Sequence, residues 1–255
     1  VVDKKNLINK TSSTVRQNVS KDNLESLPVD RLTDAIGLKA CVVSQAGELH
    51  FRGGRSGEVS YQIDGIPVKD PLSGGNVEVA TNAVSDSEVL LGGFDAEYGN
   101  AQSGVVNIST QEGGSRFAGN VTYSTDDFGA PDKTYDNFDR LEVGFGGPTG
   151  VKDLTYFLSF QGTFDDGYLK TSASRPRQTI LGFIKVGPRQ NNDYKYQGKL
   201  AWKPGPNYKL TFEYLNNKSN SDIYSHEFSL NGFVQTRIDT SRTTGQIQTR
   251  YGRFS

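Results

Sequence analysis

Histidine, cysteine and closely spaced acids are where bond chemistry or metal binding would begin, and this chain is sparing with all of them. His50 and His226 are its two histidines and stand far apart, and Cys41 is its one cysteine, so they supply no transition-metal ligand set. Asp126, Asp127, Asp132, Asp136 and Asp139 gather in one polar stretch. Their spacing departs from the Asp-x-Asp/Asn-x-Asp/Asn-Gly calcium loop, and a solvated loop is the expectation. Arg52 to Gly57 is basic and glycine-rich but lacks the Gly-Lys-Ser/Thr ending of a phosphate loop, and Ser103 has no His and Asp pattern around it to make a hydrolase nucleophile. Cys41, beside Val42 and Val43, reads as a small buried apolar residue. Neither an enzyme, a cofactor nor a resident metal is expected.

What the chain holds instead is a strongly patterned stretch from His50 to Asp70. The glycine-rich turn Phe51-Arg52-Gly53-Gly54-Arg55-Ser56-Gly57 leads into Val59, Tyr61 and Ile63 alternating with Ser60, Gln62 and Asp64, the period of a strand with one buried face. Asp64-Gly65 suits the left-handed backbone of a tight hairpin, so Ile66 to Val68 should fold back beside Tyr61 to Ile63.

Composition agrees with β structure and many turns: 29 glycines, 14 Phe, 12 Tyr and no methionine in 255 residues. The 28 basic and 29 acidic side chains nearly cancel, which argues against nucleic acid as a partner. No apolar run is long enough for a membrane-spanning helix, and the N-terminus lacks the apolar centre of a signal peptide. A mean hydropathy of -0.56 is no argument against a membrane barrel, in which every second residue faces inward.

In chain order, residues 1–19 are polar and without period, and read as a flexible arm. Ser20 caps a short helix that Pro28 stops, a second helix carries Leu32, Ala35 and Ile36 to Gly37, and Lys39 to Ser44 and Glu48 to Arg52 are strands. Pro71 to Asn76 is a loop; Ser87 to Leu91 and Val105 to Thr110 are further strands. Residues 20–112 thus form a compact α+β unit.

From Arg116 the grammar changes. Phe117, Val121 and Tyr123, then Leu141, Val143 and Phe145, then Tyr156, Leu158 and Phe160, then Tyr194, Tyr196, Leu200 and Trp202, then Tyr208, Leu210, Phe212 and Tyr214 each alternate with small or polar residues. Phe157 breaks the alternation, and a weaker segment surrounds Ile247 and Tyr251. Short turns at Gly147 to Asp153 and Lys203 to Asn207 alternate with long polar connections at Asp126 to Asn137, Asp165 to Asp193 and Ser219 to Thr240. Strands of about ten residues joined in this way describe an outer-membrane barrel, while a soluble antiparallel sandwich also alternates.

Three motifs carry a family resemblance: Phe51-Arg52-Gly53-Gly54-Arg55 with Tyr61-Gln62-Ile63-Asp64-Gly65-Ile66-Pro67-Val68; Glu88-Val89-Leu90-Leu91-Gly92-Gly93; and Ala96-Glu97-Tyr98-Gly99-Asn100-Ala101-Gln102-Ser103-Gly104-Val105-Val106-Asn107-Ile108. In this order and spacing, residues 20–112 resemble the plug domain of TonB-dependent outer-membrane receptors. Residues 113–255 resemble about six N-terminal strands of their barrel, and the third motif is most similar to the Oar-like branch. Six strands do not enclose a plug, so remaining strands, or another outer-membrane chain, are expected to complete an incomplete barrel.

The resemblance implies a Gram-negative outer-membrane receptor that imports a substrate with energy delivered by periplasmic TonB. Its partners would be TonB, outer-membrane lipid and an extracellular ligand. An adhesin or assembly subunit with a permanently plugged barrel is the alternative. Siderophore receptors of the family commonly carry an arginine at the position of Leu91 that fastens plug to barrel carboxylates; here Arg52, Arg55 and Glu97 are the candidates for plug–barrel contacts. Gly53, Gly54, Asp64, Gly65, Tyr98, Gly99 and Gly104 complete the plug motifs, and Val1, Val2 and Asp3 are the candidate strand for TonB.

Overall fold

The structure is a computed structural model that describes residues 15–27, 29–45, 48–68, 78–94, 98, 101–126, 138–165, 178–182, 184–186, 191–223 and 236–251. The chain divides into two compact units, Val1–Val77 with Val84–Thr110, and Glu78–Ala83 with Gln111–Ser255.

In the first unit, β1 (Val15–Ser20), α1 (Lys21–Ser26), α2 (Leu32–Gly37), β2 (Val42–Gln45), β3 (Glu48–Phe51), β4 (Val59–Ile63), β5 (Ile66–Pro67), β6 (Val84–Leu91) and β7 (Gly104–Thr110) follow in order. The main sheet runs β1-β6-β7-β4-β5, with β4 parallel to β7 and the other pairs antiparallel, and β2 pairs with β3 in a separate hairpin. Ser20 caps α1, its hydroxyl accepting from the Asn23 amide at 3.4 Å. Asp64 and Gly65 both have positive φ, 51° and 85°, so the expected hairpin forms, with Ile63 opposite Ile66 and the Val68 amide donating to the Tyr61 carbonyl at 2.9 Å.

Three expectations change. Val15–Ser20 is not part of a loose arm: it pairs along the whole of Ser87–Leu91 and buries Val19, a non-local pairing that its mixed local sequence does not announce. β4 is buried on both faces, Ser60 and Gln62 included, with β7 and β5 along its two edges. That burial, with the charge of Glu48, pushes the Tyr61 phenol up to about 12 and keeps it neutral at ordinary pH. Cys41 is exposed rather than buried, since it ends the turn before β2 with φ of 63°, a backbone that turns its side chain off the strand.

The second unit is a six-stranded antiparallel sheet, ordered β15-β14-β13-β10-β9-β8, built from β8 (Ala118–Thr125), β9 (Asp139–Pro148), β10 (Leu154–Phe164), β13 (Asn191–Gly205), β14 (Tyr208–Ile223) and β15 (Thr236–Tyr251), with a small hairpin of β11 (Gln178–Ile180) and β12 (Ile184–Val186). Among the described residues, β8 and β15 are its outer strands, each paired on one side. Its polarity is inverted relative to a soluble sandwich. Gln161, Gln197, Lys195, Lys199 and Glu213 are buried, while Leu158, Tyr196, Leu200, Trp202, Phe212 and Tyr214 are all at least 40% exposed. A sandwich would bury the second set, and a barrel wall turns it to lipid.

Strand extends into both ends of the Ser219 to Thr240 connection, which was expected to be a loop. β13 and β14 run 15 and 16 residues, and Asn216 to Ile223 pairs with Thr236 to Thr243. At about 3.3 Å per residue such strands exceed an apolar band of about 25 Å. Beyond the band both faces meet water, so the alternation that marks the strand disappears. Phe157, the residue out of pattern, faces the polar side above Gly146, where a β-carbon would lie 3.0 Å from its ring; the glycine leaves the ring its space.

Two outcomes are expected. Gly104→Ala would place a β-carbon 2.6 Å from the fully buried Phe51 ring, and should cost about 1–3 kcal/mol in denaturant unfolding of the first unit. Lipids brominated along the acyl chain should quench the fluorescence contributed by Trp202, taken as the difference from Trp202→Phe; equal quenching by a water-soluble quencher alone would reject a lipid-facing wall.

Candidate functional site: motif core and polar wall

In the first unit, the three sequence motifs meet around the turn after β3. Arg52 takes φ of 50° and its amide donates to the Cys41 carbonyl, and its guanidinium lies over Gly92 of the second motif, where a β-carbon would be 2.9 Å from Nη1. Gly54 faces Ser103 of the third motif so closely that a β-carbon would fall 2.5 Å from that of Ser103, and Gly104 does the same against Phe51. The Glu58 carbonyl accepts from the amides of Gln102 and Ser103, while the Glu58 carboxylate accepts from the Arg55 amide at 3.1 Å. Gly53, at φ of 80°, supplies the left-handed bend. His50 sits against the Gly54 carbonyl at 3.1 Å, a contact that requires the proton on Nδ1.

Asp64 does more than turn the chain. Its carboxylate accepts from the Thr110 amide at 3.1 Å and the Thr110 hydroxyl at 2.6 Å, fastening the β4–β5 hairpin to the last residue of β7. Tyr98 is half-buried and its carbonyl accepts from the Ala101 amide. Arg52 and Arg55 have exposed side chains. Val1, Val2, Asp3, Glu97 and Gly99 lie outside the described residues.

In the second unit, the polar face of the wall holds two chain segments, 78–83 and 111–114. The Thr81 amide donates to Gln161 Oε1 at 3.1 Å and the Thr81 hydroxyl to Glu142 Oε1 at 2.8 Å, on which Arg140 Nε also converges at 3.1 Å. Asn82 accepts from the Ser159 hydroxyl at 2.8 Å and donates to the Phe160 carbonyl at 3.4 Å. Gln111 closes on this segment, its amide donating to the Ala83 carbonyl and its side chain to the Asn82 carbonyl. Gly113 lies backbone to backbone with β10: a β-carbon there would fall 2.1 Å from the Tyr156 carbonyl oxygen.

Ion pairs reinforce both segments. Glu78 pairs with Lys195 at 2.6 Å, and Glu112 with Lys209 at 2.7 Å and Lys199 at 3.4 Å; the Lys195 and Lys199 side chains keep only 7% and 2% exposure. Beside them Gln197 donates to Glu213 at 2.6 Å. Sequence reasoning missed Glu78 and Glu112. The available signal was the row of lysines at inward positions of β13 and β14, cations that outnumber the acids beside them on those strands.

Among the acids of the first long connection, Asp126 closes the base of the loop by accepting from the Phe138 amide at 2.9 Å, and Asp139 accepts from the Tyr123 hydroxyl at 2.5 Å. Asp127, Asp132 and Asp136 lie outside the described residues. Among the described residues no group of three potential ligands gathers around a metal position.

Burial alone would raise the Glu112 carboxyl, but the hydrogen bond and charge of Lys209 and the charge of Lys199 outweigh it and hold the group below its ordinary value. A depressed carboxylate contributes stability above its unfolded value, about 4.3, and loses it as pH falls through the lower folded value. Protease sensitivity at 111–114 should therefore rise in mild acid below that point. Glu112→Gln should show the higher sensitivity already at neutral pH and a flatter acid profile.

Residues 8–106 match the family model of the TonB-dependent Receptor Plug Domain. The TonB-dependent transporter Oar of Myxococcus xanthus is 34% identical over 72 residues, 28% of this chain and 7% of that protein. A variant of the ferric enterobactin receptor of Pseudomonas aeruginosa superposes with a TM-score of 0.70 at 19% identity, covering 93% of this chain and 38% of the receptor. The outer-membrane transporter YddB of Escherichia coli gives 0.64 at 12% identity, covering 92% and 36%. The chain thus spans little more than a third of the solved receptors it matches. It carries a TonB-dependent receptor plug domain followed by strands with the fold of such a receptor's barrel wall, an architecture of the Gram-negative outer membrane.

Proposed function

We propose that this chain is the plug and leading wall of a receptor that imports a substrate across the outer membrane, with TonB supplying the energy. One observation carries the reading beyond the plug match: the face of the wall that a soluble protein would make greasy is instead lined with lysine, glutamate, glutamine and serine, each engaged with partners. Interfaces of that kind can be remade after opening, because water replaces each lost hydrogen bond, whereas an apolar seam has no such substitute. There is no bond chemistry in the scheme. Substrate binds on the extracellular side, TonB recruits an extended N-terminal segment by strand addition, with Val1 to Asp3 as the candidate, and the plug rearranges.

Arg52, Arg55 and Glu97 are assigned to plug–barrel contact in this reading. Support comes from the exposure of Arg52 and Arg55 on a turn otherwise locked by its glycines. Residues 20–112 are taken as the functional plug and 113–255 as wall, completed by further strands.

Cells expressing the complete receptor should take up its substrate only while the inner membrane is energised, and a protonophore should abolish uptake without reducing surface binding. Binding with no energy-dependent uptake for any substrate offered would favour the sealed adhesin. Arg52→Ala with Glu97→Ala should lower uptake and expose the plug to protease; unchanged values in both would remove these residues from the role.

A further inference from the structure

Resting on that transport reading, we infer that segments 78–83 and 111–114 form a collar that stays closed on the wall during transport, with Glu78 and Glu112 as the positioning residues that hold it. The part of the plug that the pull displaces then ends before Glu78. The argument begins with connectivity. Ala83 immediately precedes β6 and Gln111 immediately follows β7, and the two ends are joined by the Gln111 amide on the Ala83 carbonyl at 2.8 Å. The start of β6 and the end of β7 are consequently tethered, and a pull from the N-terminus reaches either strand only by opening the collar.

Opening it is costly in a specific way. It would take the Glu78 carboxylate from the buried Lys195 ammonium and the Glu112 carboxylate from both Lys199 and Lys209. It would also break, in one step, the hydrogen bonds of Thr81 and Asn82 to Gln161, Glu142, Ser159 and Phe160. Gly113 adds a backbone contact that no side chain could replace. β1 presents the opposite case. Among the described residues it is an edge strand paired with β6, and its ion pair, Arg16 with Glu88, is 52% and 31% exposed, the kind that contributes little. The polarity is also the reverse of what the resemblance suggests: here the carboxylates come from the connecting segments and the cations from the wall.

Single cysteines placed in the complete receptor with Cys41→Ser would test this through maleimide labelling. Val19→Cys reports β1 and Val84→Cys reports the start of β6; both valines are at most 1% exposed. In energised cells, Val19→Cys should label at least about tenfold faster than in de-energised cells, the effect of a local opening made easier by about 1.4 kcal/mol, while Val84→Cys stays unchanged. Adding Glu78→Gln and Glu112→Gln should extend the response to Val84→Cys. An equal response at both positions with the collar intact overturns the proposal, as does a pattern that the two substitutions leave unaltered. The purified receptor in urea gives an arm independent of transport. Val19→Cys should become reactive at lower urea than Val84→Cys, and the gap should close in the double Gln variant; simultaneous exposure in the unaltered collar overturns the proposal. Urea behaving as expected with no energy response at either position would overturn the transport reading instead.

Discussion

Turning a sheet's apolar side toward lipid commits its other side to polar residues, and every polar group there must be partnered once it is removed from water. That constraint organises the second unit. Leu158, Tyr196, Leu200 and Phe212 occupy one face, so Gln161, Gln197, Lys199 and Glu213 occupy the other by strict alternation. Buried lysines on a wall cannot be left alone, and Lys195 and Lys199 draw Glu78 and Glu112 onto the face. The backbone amides and short side chains around those acids then settle into the remaining positions, Thr81 and Asn82 on one segment, Gln111 and Gly113 on the other.

The first unit answers to a different constraint, close backbone approach. Phe51 needs the empty side of Gly104, Ser103 the empty side of Gly54, and Arg52 the empty side of Gly92, so each motif contributes a glycine or the group that fills its space. This explains why the three motifs are far apart in sequence yet read as one signature. Asp64 then ties the hairpin to Thr110, which makes the end of β7 a fixed point immediately before Gln111.

Legibility followed the range of the interactions. The Asp64-Gly65 turn, the Ser20 cap and the alternation of Tyr208 to Tyr214 are local and could be read directly. β1 could not, because Val15–Ser20 becomes a strand only by meeting Ser87–Leu91. The extensions of β13 and β14 were hidden for a related reason: Asn216 to Ser221 is held by ladder hydrogen bonds outside the apolar band, where nothing selects an alternating sequence. Glu78 and Glu112 stand in polar surroundings that look like any connection, and only the lysines opposite give them meaning.

The division of the chain follows the same logic. The family match treats 8–106 as one domain, yet 78–83 within it groups with the wall. A domain defined by descent and a unit defined by contact differ here because Glu78, Thr81 and Asn82 spend their polar groups on the wall's strands. Sequence inherited as plug thereby serves as wall. The contact of Glu112 is sensitive to acid, because a carboxylate held below its ordinary value by Lys209 and Lys199 surrenders its charge only at a pH lower than an ordinary glutamate does.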